Sequence, residues 1–291
     1  MCPQAPGADG TSMSEITSDA NVTLIRPAGR SGLPDVRELW RARDLALILA
    51  WRDVKVRYKQ SLIGIAWAVL QPFLTMVVFT LIFGKFAQLP SQGVPYPVFS
   101  MLNLVPWTFM AAVFTLTAGC VLSNRMLVQK VHFPLLILPL ACVLVPLIDF
   151  VFSFLVSLGI TEWYDVSVKP TTVLVPVFLL MLAITAIGLG SFLAVINVRY
   201  RDVPYVVPFL VQLWLFASGV IYAAGALPER YIAVASLNPA IGAITGFRWA
   251  VIGTPPPTTT MLVLGWTSAI VLFVAGLWFY RRAEPRFADT L

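Results

Sequence analysis

Charged side chains are scarce in this chain. Only 12% of its 291 residues are Asp, Glu, Lys or Arg, whereas 58% are hydrophobic. This balance argues against an ordinary soluble globular domain and is typical of a protein that lies within a bilayer.

Residue types that usually carry catalysis, redox chemistry or metal binding are also few. The three cysteines (Cys2, Cys120 and Cys142) form no CxxC pair, and His132 is the only histidine. The chain has no HExxH, GxSxG or GxxxxGK[ST] motif and no paired carboxylates within its apolar stretches. We therefore predict a chain that is not itself an enzyme, binds no metal or cofactor, and has no phosphate loop for ATP. The cysteines are interpreted as packing residues.

The formal net charge of +6 raises the question of a nucleic-acid partner, which the placement of the bases argues against. All but four of the 20 Lys and Arg fall in segments that we assign to the cytoplasm; the exceptions are Lys85, Lys169, Arg230 and Arg248. Retention of basic residues on the cytoplasmic side of a membrane explains this excess, so no nucleic acid is expected.

Two segments precede the first long apolar stretch. Residues 1–33 lack the apolar core of a signal peptide and are predicted to be a disordered cytoplasmic tail. Residues 34–60 are predicted to form an amphipathic interfacial helix beside the membrane. The alternative is a helix that packs against the protein's own cytoplasmic side. The predicted apolar face contains Val36, Trp40, Leu47, Trp51, Val54 and Tyr58.

Six apolar stretches follow that are long enough to cross a bilayer as helices. The basic run before the first one places its start in the cytoplasm. We predict an all-α integral membrane protein with six transmembrane helices and both termini cytoplasmic. Within the fourth span, Gly188 and Gly190 permit close helix approach. The predicted spans, which make up the membrane domain 61–291, are 62–83, 98–121, 134–160, 172–197, 205–222 and 261–280, the last stopped by Arg281-Arg282.

Polar or broken segments separate these spans. Residues 123–133 and 198–203 are predicted to return to the cytoplasm, and Ser123 or Asn124 could cap a small helix there. The stretch 223–260 is interrupted by Gly and Pro, so short re-entrant helices are predicted before the last span.

Some side chains within the spans have two interpretations. Asp149 is the only acid inside a span, and its carboxylate either faces a pore or holds another helix. Aromatic rings such as those of Trp67, Phe73 and Trp107 could stack on sugars, or they could simply face lipid and neighbouring helices.

Several motifs follow one another along the chain. They are Arg52-Asp-Val-Lys-Val-Arg-Tyr-Lys-Gln-Ser-Leu-Ile-Gly-Ile-Ala-Trp-Ala-Val-Leu-Gln-Pro72, Pro106-Trp107, Val128-Gln-Lys-Val-His-Phe-Pro134, Arg201-Asp-Val203, and Leu237-Asn-Pro239 with Phe247-Arg248. In this order they resemble the permeases of polysaccharide-export ABC transporters, the ABC-2 type permeases for O-antigen, teichoic acid, capsule and other cell-wall glycans. The resemblance covers about Val36 to the C-terminus.

The resemblance implies a separate ATPase subunit that binds ATP and Mg, a homodimer of the permease in a two-plus-two complex, and a polyprenyl-diphosphate-linked glycan as substrate. It also implies the cytoplasmic (inner) membrane of a bacterium. The implied ATPase contacts, besides the N-terminal amphipathic helix, are Asn124, Arg125, Gln129, Lys130, His132, Arg199, Arg201 and Asp202. The hairpin at 226–253 would form the outer gate, with Asn238, Pro239, Phe247 and Arg248.

A substrate path is the least specific of these expectations. The bases Arg52, Lys55, Arg57 and Lys59 lie at the depth where a diphosphate would arrive, although membrane topology alone also requires bases there. We add Trp67, Phe73, Trp107 and Asp149 as candidate substrate contacts. An ABC-2 permease for a drug or lipid is the alternative function, and a membrane-embedded glycosyl- or acyltransferase is a third, which the missing catalytic residues disfavour.

Overall fold

The computed structural model describes Trp40 and residues 42–59, 65–131, 133–200, 202–222 and 229–290, and these ranges contain helices and turns without strands. The tail 1–33, His132 and Arg201 lie outside the described residues. The α-helices are α1 (Arg43–Lys59), α2 (Ile65–Phe79), α3 (Tyr96–Ser123), α4 (Arg125–Lys130), α5 (Ile137–Ala141), α6 (Leu144–Trp163), α7 (Val175–Arg199), α8 (Val203–Ala217), α9 (Glu229–Ser236), α10 (Pro239–Ile252) and α11 (Thr259–Thr290). A π-helical turn, Thr80–Phe86, extends α2, and a 3-10 turn, Pro170–Leu174, precedes α7.

Among the described residues, five helical segments are long and apolar enough to cross a membrane. They are Ala66–Phe86, Tyr96–Ser123, Ile137–Trp163, Pro170–Arg199 and Thr259–Phe287. They correspond to all the predicted spans except 205–222. That stretch forms α8, which has 15 residues and is about 22 Å long, against a hydrocarbon core of about 30 Å. Six spans therefore stay a prediction.

The centre of the bundle is the contact between α7 and its neighbours α3 and α11. A Cβ on Gly276 of α11 would lie 1.9 Å from the carbonyl oxygen of Gly188, and one on Gly190 would lie 2.6 Å from Thr117 Cβ on α3. Only glycine fits where helix backbones come this close, as the sequence predicts for Gly188 and Gly190.

Helix α1 lies against α5 and the start of α6, and it has two adjacent apolar stripes. Leu49, Ala50 and Val54 are buried there, whereas Leu47 and Trp51 are more than half exposed. The helical period finds an apolar stripe correctly but cannot tell which of two adjacent apolar stripes packs on protein. Trp40, Leu47 and Trp51 therefore form an exposed apolar stripe beside a buried one.

The last helix continues past Arg281-Arg282 to Thr290, beyond the end of the predicted span 261–280. Tyr280 and Phe287 lie two turns apart on one face, and their buried rings meet edge to face at 5.3 Å. The segment before α5 is attached to this face, because Tyr280 Oη donates to Leu135 O (3.2 Å) and Leu135 N donates to Glu284 Oε1 (2.9 Å). These contacts stabilise the helix beyond its apolar part.

Candidate functional site

An ion pair joins α1 to α6, which lies in the apolar segment Ile137–Trp163. Arg57 Nη2 lies 2.6 Å from Asp149 Oδ2, and the side chain of Asp149 is only 15% exposed. Tyr58, the next residue on α1, donates its hydroxyl to the other carboxylate oxygen of Asp149. Of the two interpretations of Asp149, this geometry matches the one in which the carboxylate holds another helix.

The Tyr58 hydroxyl is held in its neutral, donating form. Burial, then the hydrogen bond to Asp149 and the negative charge of that carboxylate, raise the pKa of Tyr58 above its ordinary value. Both acceptor oxygens of Asp149 are thus engaged by α1, one by a cation and one by a neutral donor.

A second polar contact joins α1 to the segment that carries α4. Arg52 Nη2 donates to Asn124 Oδ1 at 2.7 Å, and the same nitrogen lies 2.7 Å from Asp53 Oδ1. Asn124 Nδ2 donates to Cys120 O on α3 at 2.9 Å. Asn124 occupies the N-cap position of α4 as predicted, but its side chain makes no capping hydrogen bond, because both its polar atoms are used elsewhere.

The four bases of α1 that are candidate substrate contacts therefore separate into two pairs. Arg52 and Arg57 are bound by other parts of the chain, whereas Lys55 and Lys59 are exposed and form no ion pair within the described residues. Only the two lysines present their whole positive charge to an incoming anion.

The three aromatic candidates differ in exposure. Trp67 and Phe73 lie on the outer side of α2, 53% and 38% exposed. Trp107 is buried within α3, where its ring packs edge to face on Trp214 at 6.0 Å. Among the candidate substrate contacts, the structure thus brings Arg57 and Asp149 together, whereas Trp107 packs on Trp214.

The candidate ATPase contacts lie at one end of the bundle. Asn197 Nδ2 donates to Ala118 O at 2.9 Å, which ties the last turns of α7 to those of α3. The polar segments that follow these two helices are therefore neighbours, and Val128 anchors α4 with a buried side chain. Arg125, Gln129, Lys130, Arg199 and Asp202 are exposed there.

Asn238 joins the end of α8 to the start of α10. Its Oδ1 accepts hydrogen bonds from Trp214 Nε1 (3.0 Å) and Ala240 N (3.2 Å). Its Nδ2 donates to Ala217 O (2.8 Å) and lies 3.2 Å from Ser218 Oγ. The turn predicted at Asn238-Pro239 is present, and the amide fixes it in place.

The other candidate gate residues are inside the bundle. Pro239 and Phe247 are buried, and the Phe247 ring meets Phe150 and Phe154 of α6 edge to face at 6.0 and 5.6 Å. Arg248 is fully buried and contacts α3 through Asn103 and Phe99. Sequence reasoning missed Asn103; the available signal was a lone amide inside an otherwise apolar span.

Residues 45–252 match the family described as ABC-2 type transporter, and the chain belongs to this family. It is 30% identical over 260 residues to the O-antigen export system permease protein RfbA of Myxococcus xanthus, which covers 88% of this chain and 98% of that relative. An O-antigen export system permease protein RfbA of Klebsiella pneumoniae is 26% identical over 251 residues (85% and 95%). The polysialic acid transport protein KpsM of Escherichia coli is 21% identical over 238 residues (80% and 91%). The family resemblance read from the motifs is confirmed.

Proposed function

We propose that this chain is the transmembrane permease subunit of an ABC transporter that exports a polyprenyl-diphosphate-linked polysaccharide. The observation that carries the proposal is its similarity, over nearly their whole length, to permeases named for O-antigen export and polysialic acid transport. The five long apolar helices support a protein that crosses the membrane several times.

Energy comes from a separate ATPase subunit that binds ATP and Mg, and two copies of each subunit form the complex. The exposed polar residues of α4 and of the α7–α8 turn (Arg125, Gln129, Lys130, Arg199 and Asp202) are the proposed ATPase contacts. Asn124 accepts a hydrogen bond from Arg52 and so connects this surface to α1. A polar, charged surface of this kind suits contact with a soluble partner.

The diphosphate of the carrier lipid approaches α1 first. Lys55 and Lys59 are exposed there and form no ion pair within the described residues, and ammonium groups attract phosphate oxygens strongly at the membrane surface. Arg52 and Arg57 contribute charge to the same region while they hold Asn124 and Asp149. Trp67 and Phe73, exposed on α2, are the proposed sugar contacts once a second copy completes the channel.

The proposed setting is the cytoplasmic membrane of a bacterium, with both termini in the cytoplasm and α8 as the sixth crossing. Helices α9 and α10 enter the outer leaflet without crossing it. Asn238, Pro239, Phe247 and Arg248 belong to the outer gate, which opens when α10 moves relative to α3 and α6.

Depletion of the protein in its host, followed by extraction of lipid-linked glycans, tests this function. We expect one full-length polyprenyl-linked polymer to accumulate on the cytoplasmic side, and its composition names the substrate. Unchanged lipid-linked glycans would contradict glycan export and favour a drug or lipid substrate for the same architecture.

A further inference from the structure

Helix α1 makes its two long-range polar contacts with two different elements. Arg52 contacts Asn124 at the start of α4, and Arg57 with Tyr58 contacts Asp149 on α6. Arg52 and Arg57 are five residues apart, which is about 7.5 Å along a helix axis. A single rigid helix thus connects α4 to α6 at two nearby points.

The rest of the attachment of α1 is apolar. Leu49, Ala50 and Val54 are buried at the face that packs on α5 and α6. Apolar packing has no preferred direction and permits sliding, whereas an ion pair fixes the register of the two elements that it joins. The position of α6 relative to α1 is therefore determined at Asp149.

Asp149 also makes this contact difficult to break. A carboxylate inside an apolar helix is costly to leave without a cation, and this one is largely buried. When α1 moves, the ion pair between Arg57 and Asp149 stays intact, because its separation would leave the Asp149 charge unpaired. Asp149, and with it α6, moves together with α1.

We infer that Arg57 and Asp149 are positioning residues for transport: their ion pair passes the ATP-driven displacement of α4 through α1 to the membrane span at α6. The inference rests on the proposed function, since it takes α4 as the surface that the ATPase displaces. The Arg52–Asn124 contact passes the displacement of α4 to α1, and the Arg57–Asp149 contact passes it from α1 to α6.

The first experiment compares export with ATP hydrolysis in the complete complex reconstituted in proteoliposomes. In the complex that assembles, we expect Arg57→Gln and Asp149→Asn each to lower export per ATP hydrolysed at least tenfold, and Arg57→Gln also to lower the amount of assembled complex because it leaves Asp149 unpaired. The double variant should be no worse than either single one, and the exchange Arg57→Asp with Asp149→Arg should restore part of the ratio. Arg43→Gln is the matched control, because it removes the same charge from α1 at a site where the ion pair seen among the described residues is with the exposed neighbour Asp44.

Three results would overturn the inference. A merely structural pair would reduce the amount of assembled complex but leave export per ATP in the remainder unchanged. If Arg57 acted only by binding the diphosphate, Asp149→Asn would leave export per ATP hydrolysed unchanged. Export per ATP hydrolysed that is as high in Arg57→Gln as in the parent would contradict the inference directly.

A second readout does not depend on the identity of the substrate. In a background without the native cysteines, spin labels are placed at Met126→Cys on α4 or Leu155→Cys on α6, both exposed positions. With the ATPase subunit bound, ATP should change the spectra of both labels in the parent, but only that of the α4 label in Arg57→Gln. Persistence of the α6 response in Arg57→Gln, or its absence in the parent, would refute the inference. A failure of glycan export in the parent with both spectral responses intact would instead refute the proposed substrate.

Discussion

Arg248 on α10 donates a hydrogen bond from Nη1 to Asn103 Oδ1 on α3, across 2.8 Å and 145 residues of sequence. Both side chains are fully buried. The guanidinium carbon also lies 4.6 Å from the centroid of the Phe99 ring, whereas Nε and Nη2 have no hydrogen-bond partner among the described residues. One amide oxygen and one aromatic face thus stabilise a buried cation.

Asn103→Leu should therefore destabilise the protein strongly. It removes the acceptor of Arg248 and also the hydrogen bond from Asn103 Nδ2 to Val220 O. Loss of a hydrogen bond to a buried charge should cost about 3 kcal/mol, measured as a lower midpoint of thermal unfolding in detergent. Thr115→Ala is the control, because that exposed hydroxyl bonds only to Ala111 O of its own helix. Equal midpoints for the two variants would show that Arg248 does not depend on Asn103.

Gly276→Ala should prevent α7 and α11 from packing. The new methyl carbon would lie 1.9 Å from Gly188 O, a backbone atom that cannot move without its helix. Overpacking of this kind costs about 3 kcal/mol or more. We expect little monodisperse protein on size-exclusion chromatography. Gly159→Ala is the matched control in a span, since a Cβ there would meet nothing within 4 Å; a similar loss in both variants would contradict the prediction.

Tyr58→Phe should weaken the attachment of α1 by about 1 kcal/mol, because it deletes one donor to Asp149 at a half-buried site. The pH dependence has a definite sign. The pKa of Tyr58 is raised in the folded protein, so the unfolded chain loses this proton first and the contribution of Tyr58 is complete below pH 10. It declines as the pH rises above 10. The difference in unfolding free energy between parent and variant should shrink there, and a constant difference up to pH 11 would contradict this assignment.

The sidedness of the termini decides whether α8 crosses the membrane. Five crossings would leave the two ends of the chain on opposite sides, whereas six return them to the same side. We expect reporters fused before Met1 and after Leu291 both to be cytoplasmic, in agreement with the bases near Arg52 and Arg281. As an internal control, Glu162→Cys should react with a membrane-impermeant thiol reagent from outside and Arg125→Cys only after permeabilisation. A periplasmic C-terminal reporter would contradict the sixth crossing.

Local chemistry made much of this fold predictable from sequence. Runs without charge located the five long helices, and Gly188 could be recognised as a place of close approach. The inward face of α1 could not be found in this way, because Leu49 and Trp51 are equally apolar and only the position of α5 distinguishes them. The extension of α11 past Arg282 depends on Leu135, almost 150 residues earlier.

The candidate site was less predictable because its pairs are distant in sequence. Asp149 is a visible anomaly in an apolar span, but nothing local indicates that Arg57, rather than Arg52 or Lys59, is its partner. Arg248 could be recognised as an isolated base, yet its stabilisation requires Asn103 on another helix. Sequence identifies the unusual side chain in such cases, and only the fold identifies what it contacts.

The four hydrogen-bonding contacts of Asn238 have a consequence for how the chain is made. The carbonyl of Ala217, at the end of α8, receives its side-chain donor from a residue 21 positions later. A peptide carbonyl in an apolar environment is costly until it is bonded, so the end of α8 cannot settle while it is the most recently synthesised part of the chain. During translation, we therefore expect α8 to reach its final position only after Asn238 has been synthesised.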